Sequence, residues 1–305
     1  QEHRDDYRAI REQRSGGRKV NQLTIEEARK RKFSCNWKKH QVPKPKIKEP
    51  SVFQEYLLAE LVNYIDWSPF FHAWELKGRY PAILESEKYG TEATKLFEDG
   101  REMLERIVSD KLITAKGVAG IFPARAEDET VFLENAQFHF PRQLVDKGIS
   151  GINYSLADFI APEDDWLGLF AVTAGHGVDV LANKFDADND DYSAIMVKVL
   201  ADRLAEAFAE RLHERVRKEI WGYDENEQLN SEKLIKEQYR GIRPAPGYPA
   251  CPGHEEKDTI WKLLEVEESV GISLTETRAM FPAASVCGWY FSHPESCYFS
   301  VRHVD

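Results

Sequence analysis

One stretch of the sequence carries its strongest structural signal: DDYSAIMVKVLADRLAEAFAERLHERVRKEIW, residues 190–221. Apolar residues recur about every four positions along it, the spacing that places side chains on one face of an α-helix. This stripe consists of Ile195, Val199, Leu204, Phe208, Leu212, Val216 and Ile220. The pattern predicts a helix of about 30 residues, long enough to be a main scaffold element of the domain.

Short apolar runs on both sides of that stretch have the length of β-strands. Residues 166–173 form one such run, which ends at Gly175-His176-Gly177. Strands that cluster among long helices, without regular βαβ alternation, indicate an α+β fold. We predict further strands at 117–123, 130–133, 137–140, 286–291 and 298–301, and further helices at 25–32, 53–65, 91–111 and 257–268.

Two patterns that would indicate an active site are incomplete. Gly175-His176-Gly177 follows a strand, as a dinucleotide-binding loop does, but Val180 stands in place of the third glycine. A plain strand-to-helix turn is therefore the better interpretation of these three residues. A cofactor-binding loop, which would make the protein a nicotinamide-dependent oxidoreductase, is the weaker one. His213-Glu214 begins like a zinc-protease motif, yet Arg217 occupies the position of the second histidine. None of the four cysteines forms a C-x-x-C pair, so no metal site is indicated.

Charge is unevenly distributed along the chain. Residues 1–50 hold 15 Lys/Arg and 7 Asp/Glu, a net charge of +8, whereas residues 51–305 carry −19. An acidic body repels nucleic acid, so we expect no nucleic-acid partner. No apolar run approaches the roughly 20 residues that cross a bilayer, and arginines and acids stand where a signal peptide would be apolar. We expect a cytoplasmic protein with no membrane partner.

Two polar stretches divide the N-terminal part of the chain. Residues 1–20 end in a flexible Ser-Gly-Gly segment, and residues 41–50 carry prolines among lysines, which is typical of an extended spacer. Between them, Thr24 and Glu27 have the spacing of a capping box, which predicts a short helix. We predict a linker at 1–20 and one domain at 21–305, with a compact body from about residue 50.

A proline-rich loop, RPAPGYPACP at residues 243–252, is the most distinctive candidate for binding a ligand. Its prolines stiffen the backbone and remove N–H donors. Arg243 can make a bidentate contact with a carboxylate, and Ala245, Gly247 and Tyr248 offer the remaining amides. On composition alone, a purely structural loop is an equally good interpretation.

Four other residues have ordinary structural interpretations when the sequence pattern alone is considered. Asp66 follows an aromatic segment and is typical of a helix cap or an ion-pair partner. Glu206 lies between charged residues on the long helix, which favours a solvated acid. Tyr298 and Phe299 are expected as neighbours on a strand, one directed inward and one outward.

Three segments taken together resemble a known family: YIDWSPFF at 64–71, IMVKVLADRLAEAFAE at 195–210 and GIRPAPGYP at 241–249. They are similar to the C-terminal activation domain of cobalamin-dependent methionine synthase. The similarity runs from about Leu23 to the C-terminus and includes GWYFSHP at 288–294. It implies a single helmet-shaped α+β domain with a central twisted antiparallel sheet and long flanking helices, unlike the Rossmann fold.

The resemblance also implies a function. In this family the parent methyltransferase passes a methyl group from methyltetrahydrofolate to homocysteine through cobalamin, and the activation domain rescues oxidised, inactive cobalamin. It uses an electron from flavodoxin or a diflavin reductase and the methyl group of S-adenosylmethionine. The family's S-adenosylmethionine contacts carry over to Asp66, Glu206, Arg243, Ala245, Tyr248, Tyr298 and Phe299, with the aromatic type varying at Phe299.

We therefore expect Arg243 to pair with the methionyl carboxylate, and a carboxylate such as Asp66 to take the ammonium group or the ribose hydroxyls. No residue is expected to be catalytic, because the domain positions a methyl donor. Turnover and tight cobalamin binding are expected to need the cobalamin-binding module, from which residues 1–20 are expected to lead as a linker. The basic residues 1–50 could meet an acidic flavodoxin. The alternative is a stand-alone interaction module of the same fold that no longer binds the methyl donor.

Overall fold

The computed structural model describes residues 21–148, 150–230, 233–234 and 236–301. The linker predicted at 1–20 lies outside these residues. Within the described chain, no helix is both long and apolar enough to span a membrane.

A six-stranded antiparallel sheet forms the centre of the described structure, with the order β4-β3-β2-β5-β8 and with β1 also paired to β2. A separate pair, β6 and β7, forms a short antiparallel ribbon. The strands are β1 Ser51–Tyr56, β2 Thr114–Glu127, β3 Thr130–Phe132, β4 Gln137–His139, β5 Asp165–His176, β6 Ser273–Leu274, β7 Met280–Phe281 and β8 Ser285–Tyr290.

Strand β2 organises the sheet because it has several partners along its length. Ser51 of β1 lies opposite Ala119, and farther along β2 pairs with β3. β5 pairs with β2 from Thr114 to Ala124. The predicted strand pair 130–133 and 137–140 is confirmed as the β3–β4 hairpin.

The long helix predicted at the centre of the sequence is also confirmed. It runs from Asp191 to Arg215 and continues through a π-helical turn, Val216–Ile220. Most of the predicted stripe is buried, but Ile195 is 46% exposed, because the first turn packs inward through Ala194 and Met196 instead. The helices are α1 Ile25–Arg29, α2 Leu58–Leu61, α3 Ser68–Ala73, α4 Gly90–Ser109, α5 Val178–Ala187, α6 Asp191–Arg215, α7 Glu256–Leu264 and α8 Val266–Val270.

Both faces of the sheet are covered, and β5 contributes to both. Phe170 and Val172 belong to a core that includes the inner face of α6, whereas Leu169 and Ala171 belong to a second core that includes Trp289. Alternate residues of a strand point to opposite faces. A strand buried on both faces therefore reads as one continuous apolar run, which is how β5 could be recognised in the sequence.

Three predicted elements are wrong in part. Residues 53–56, predicted as the start of a helix, belong to strand β1 (51–56), because pairing with β2 overrides the helical spacing of Phe53 and Tyr56. The helix predicted at 257–268 is divided at Glu265, whose positive φ of 47° ends α7. Residues 298–301 form no strand. The Val301 amide instead donates to the Pro249 carbonyl at 2.6 Å.

Residues 21–49 lie against the body of the domain. The predicted capping box is present, with Thr24 and Glu27 exchanging backbone-to-side-chain hydrogen bonds of 2.9 and 3.3 Å. Farther along, the Trp221 indole donates to the Pro43 carbonyl at 2.8 Å. The Lys46 amide donates to the Ile220 carbonyl at 3.1 Å, so the end of the long helix holds this segment.

Candidate functional site

A cavity of about 310 Å³ lies between α6, the segment before α3 and the residues that follow Gly241. Asp66, Glu206 and Arg243, three of the predicted contacts, come together in its wall. The lining consists of Tyr64, Asp66, Pro69, Arg203, Glu206, Glu210, Leu234, Glu237 and Arg243.

A second cavity of about 150 Å³ is lined by Ala245 and Tyr248, together with Lys257 and Cys287. Glu206 lines this cavity as well as the larger one. The two cavities therefore meet at this side chain, and five of the seven predicted residues surround them.

Asp66 and Glu206 each combine a structural position with exposure to the cavities. Asp66 Oδ1 accepts a hydrogen bond of 2.9 Å from the Ser68 amide, an Asx turn that leads into α3. The N-cap position of α3 is Trp67, which makes no side-chain cap, so Asp66 is not the helix cap that was expected. The carboxylate also faces the cavity. Glu206 is half-buried, so its interpretation as a fully solvated acid was wrong. Helix α6 faces the two cavities at this position rather than open solvent.

The proline-rich loop is tied to the sheet and to itself. The Trp289 amide donates to the Pro244 carbonyl at 2.9 Å, and β8 comes so close that a Cβ on Gly288 would lie 2.3 Å from the same oxygen. Only glycine fits there. Within the loop, the Gly247 amide donates to the Cys251 carbonyl at 2.8 Å. The loop is thus pre-organised.

These internal bonds correct one prediction about the loop. The amides of Gly247 and Tyr248 are both used inside it, the latter donating to the Ala245 carbonyl at 3.2 Å. They are not available to a ligand. The Ala245 amide makes no hydrogen bond to the described part of the chain. Of the three predicted backbone donors, it is therefore the one still available to a ligand.

Arg243 is held by three neighbours. Its Nη1 forms an ion pair of 2.7 Å with Glu210 Oε2 and donates to the Tyr239 hydroxyl at 2.7 Å. Its backbone amide donates to the Tyr298 hydroxyl at 3.0 Å. Burial acts to lower the pKa of Arg243, but the Glu210 carboxylate outweighs it and keeps the guanidinium charged. Nε and Nη2 make no hydrogen bond within the described chain, so they can serve a ligand.

The larger cavity has an excess of negative charge. Four carboxylates line it against two guanidinium groups. Burial raises the pKa of Glu210 and of Glu237 above the ordinary value for glutamate. Glu210 Oε1 is buried and has no partner within the described residues. Such an arrangement suits a ligand that carries both a carboxylate and cationic groups.

Tyr298 and Phe299 point in different directions, as expected for neighbouring residues. Tyr298 reaches Arg243 through its hydroxyl, although its side chain is 40% exposed. The Phe299 ring stacks on Tyr154 with centroids 5.6 Å apart and packs against the second core. Its side chain is not in the lining of either cavity.

The family model for the activation domain of vitamin B12 dependent methionine synthase matches residues 57–305. The chain belongs to this family. An activation domain of this kind is part of a methyltransferase, cobalamin-dependent methionine synthase. A crystal structure of the MetH reactivation domain bound to AdoHcy is 49% identical to the chain, with a TM-score of 0.89. The match covers 93% of this chain and 90% of that one.

The likeness confirms the α+β fold with a curled antiparallel sheet. It also explains why a Rossmann glycine fingerprint is incomplete here. Gly177 has a φ of 93° and links β5 directly to α5, as a plain strand-to-helix turn does.

Sequence reasoning missed several residues of the activation domain's cleft. Glu210 was not singled out, although its spacing of one helical turn from Glu206 places both on the same face of α6. Tyr239 and Glu237 lie just before the recognised loop, in a segment without a pattern of its own. The spacing of Glu206 and Glu210 is the one signal that could have indicated more of the site.

Proposed function

We propose that the two cavities bind S-adenosylmethionine, and that the domain presents its methyl group to the cobalamin of a neighbouring module to reactivate methionine synthase. The observation that supports this most directly is the position of Arg243 among four carboxylates in one cavity. The related reactivation domain binds AdoHcy, which differs from S-adenosylmethionine by one methyl group on sulfur.

The charges of the cleft fit those of the methyl donor. Arg243 can offer Nε and Nη2 to the methionyl carboxylate in a bidentate pair while Nη1 stays on Glu210. The unpartnered Oε1 of Glu210 and the carboxylate of Asp66 can receive the ammonium group or the ribose hydroxyls. The remaining negative charge stabilises the sulfonium cation.

The other contacts extend along the loop. Glu206 lies where the two cavities meet, and the Ala245 amide and the Tyr248 ring face the smaller one. Tyr298 acts on the ligand through Arg243, whose backbone it holds. Phe299 is retained as a contact on the resemblance alone, and it would reach the ligand through its backbone because its ring packs on Tyr154.

The chain's own contribution is to bind and orient. Cobalamin, held by another module, would supply the cobalt to which the methyl group is transferred. Because no proton has to be moved from the donor, no general base is needed, and the domain contributes by fixing the position of the sulfonium. We propose flavodoxin or a diflavin reductase as the electron donor and expect no turnover by the isolated chain.

Calorimetric titration of the 305-residue chain with S-adenosylmethionine tests the proposal. We expect saturable one-to-one binding by wild-type protein and no binding of a nicotinamide dinucleotide. Arg125→Ala is the matched control for substitutions of Arg243, because this arginine is half exposed on β2, lies outside both cavities and contacts Glu127 and the Phe132 ring. It should bind as wild type does.

One outcome would reject the proposal as a whole, and a second would reject the role assigned to Arg243. The first is a folded wild-type protein that does not bind the donor, which would favour the stand-alone interaction module. The second is an Arg243→Lys variant with unchanged affinity. Lysine keeps the charge but loses the bidentate geometry, so an unchanged affinity would mean that Arg243 does not hold the carboxylate.

A further inference from the structure

Three side chains with metal-ligating atoms meet where the segment before β1 crosses the turn after β8. The Cys35 sulfur and one ring nitrogen each of His40 and His293 all lie within 4.8 Å of one another. The two imidazole rings stack with their centroids 4.5 Å apart. The cluster lies outside the lining of both ligand cavities.

His293 provides an independent indication that this cluster has a ligand. Its side chain is only 2% exposed, and its Nε2 has no hydrogen-bond partner within the described chain. Nδ1 accepts a hydrogen bond of 3.1 Å from the Glu295 amide, so Nε2 is the ring atom left over. A buried polar atom without a partner costs about 1–3 kcal/mol, and an ion at the site would remove that cost.

We propose that Cys35, His40 and His293 form a binding site for Zn²⁺. A thiolate and two imidazoles are a donor set that zinc prefers, and three protein ligands leave a fourth position for water or another ligand. Tetrahedral zinc with these donors places the ligand atoms about 3.3–3.6 Å apart. The three atoms therefore have to close by about 1 Å, which side-chain rotation of the half-buried Cys35 and His40 can supply.

Zinc binding would shift one proton between the ring nitrogens of His293 and release one proton from Cys35. A neutral His293 that accepts at Nδ1 carries its proton on Nε2. Binding zinc through Nε2 moves that proton to Nδ1 and breaks the hydrogen bond from the Glu295 amide, while Cys35 releases its thiol proton to solvent. Glu295 is exposed, so water can accept from both the Nδ1 proton of His293 and the Glu295 amide.

A bound ion would fasten two distant parts of the chain to each other. Cys35 and His40 precede the sheet, whereas His293 follows its last strand on the way to Tyr298. The Arg240 guanidinium already holds the neighbouring Ser292 carbonyl at 2.9 Å. Zinc would therefore stabilise the segment that leads to the Arg243–Tyr298 contact.

Titration of the 305-residue chain with Co²⁺, a spectroscopic substitute for Zn²⁺, tests the proposal. We expect one ion per chain with a thiolate-to-cobalt charge-transfer band, which Zn²⁺ then removes by competition. Cys35→Ser should abolish the band, and His40→Gln should weaken Co²⁺ binding at least about tenfold. Cys297→Ser is the matched control, since that thiol is also half-buried, and it should leave the band unchanged.

The proposal fails if wild-type protein gives no charge-transfer band, or if Cys35→Ser keeps it. His293→Gln is less decisive because a buried substitution can unfold the protein. Cys35→Ser and His40→Gln change half-buried positions and still decide the question. As a second measurement, Zn²⁺ should raise the unfolding temperature of the wild type but not that of Cys35→Ser.

Discussion

Arg142 and Arg243 both lie among carboxylates in the interior, but they use their nitrogens differently. Arg142 is fully buried, and all three of its nitrogens donate: Nε to Glu129 at 2.6 Å, Nη2 to Asp158 at 2.7 Å, and Nη1 to Asp158 and to the Asn153 carbonyl, both at 2.8 Å. Arg243 makes its two side-chain bonds through Nη1 alone.

The carboxylates that contact the two arginines differ in the direction of their pKa shifts. Burial acts to raise the pKa of Glu129, but hydrogen bonds from Arg29 and Arg142 outweigh it and lower the pKa. Glu210 has Arg243 as its ion-pair partner, and burial keeps its pKa raised. Arg142 thus uses all of its donors within the fold, whereas Arg243 keeps Nε and Nη2 available for the proposed ligand.

The largest effect we expect is on stability, from Arg142→Ala. The substitution leaves Glu129 and Asp158 buried without Arg142, which should lower the free energy of unfolding by about 3–5 kcal/mol in urea denaturation. Arg125→Ala removes an exposed ion pair with Glu127 and a cation–π contact with Phe132, and should cost under about 2 kcal/mol. Equal losses from the two variants would show that the buried network does not stabilise the fold.

Arg243→Ala should have its main effect on binding. Loss of a charge-assisted contact costs about 1.5–3 kcal/mol, which weakens the affinity for S-adenosylmethionine roughly ten- to a hundredfold or somewhat more. Calorimetry measures this loss, and urea denaturation of the same variant should show a smaller decrease in stability than Arg142→Ala does. The reverse order would contradict the assignment of roles to the two arginines.

A smaller effect is expected from Tyr239→Phe. The variant removes one neutral acceptor from Arg243 Nη1, so the affinity for S-adenosylmethionine should fall by about 0.5–1.5 kcal/mol. Tyr192→Phe deletes an exposed hydroxyl that donates to Asp99 at 2.8 Å and serves as the control. If Tyr239→Phe binds as Tyr192→Phe does, Tyr239 has no part in positioning Arg243.

The smallest effect we expect is on the pH dependence of folding stability, to which Glu129 and Glu210 contribute in opposite directions. Because the pKa of Glu129 is lowered in the folded state, its contribution to stability is present above the ordinary pKa of 4.5 and is lost as the pH falls through the lower folded value. The pKa of Glu210 is raised, so its contribution is present below 4.5 and is lost as the pH rises through the higher folded value.

Urea denaturation from about pH 3 to 7 can separate the two glutamates. Glu129→Gln should reduce the loss of stability in acid, and Glu210→Gln should reduce the loss above pH 4.5. Slopes that do not change in these directions would mean that the two carboxylates have similar surroundings after all.

The sequence predicted the features that follow from local pattern. Helix α6 was recognised from its apolar periodicity, strand β5 from its continuous apolar run, and Arg243 from the stiff loop that begins with it. Residues 53–56 were misassigned because their conformation depends on β2, far away in the chain. Arg142 was not singled out at all, since nothing in the sequence shows that Glu129 and Asp158 lie beside it.

In the candidate site, too, contacts between distant parts of the chain could not be predicted from the sequence. Tyr239 is recognisable only once α6 and the loop have been brought together, and the cluster of Cys35, His40 and His293 has no local spacing that indicates a metal. Carry-over from the family supplied Asp66 and Glu206, which composition alone would have left as a cap and a surface acid.

The bonds between β8 and the proline-rich segment also bear on solubility. β8 is the last strand of the sheet order, and an open strand edge invites pairing with another molecule. Here Ile242 exchanges hydrogen bonds with Phe291, and Pro244 accepts from Trp289, so the chain itself occupies that edge. A substitution such as Gly288→Ala, which forces the two apart, should therefore promote self-association of the protein as well as weaken binding of the methyl donor.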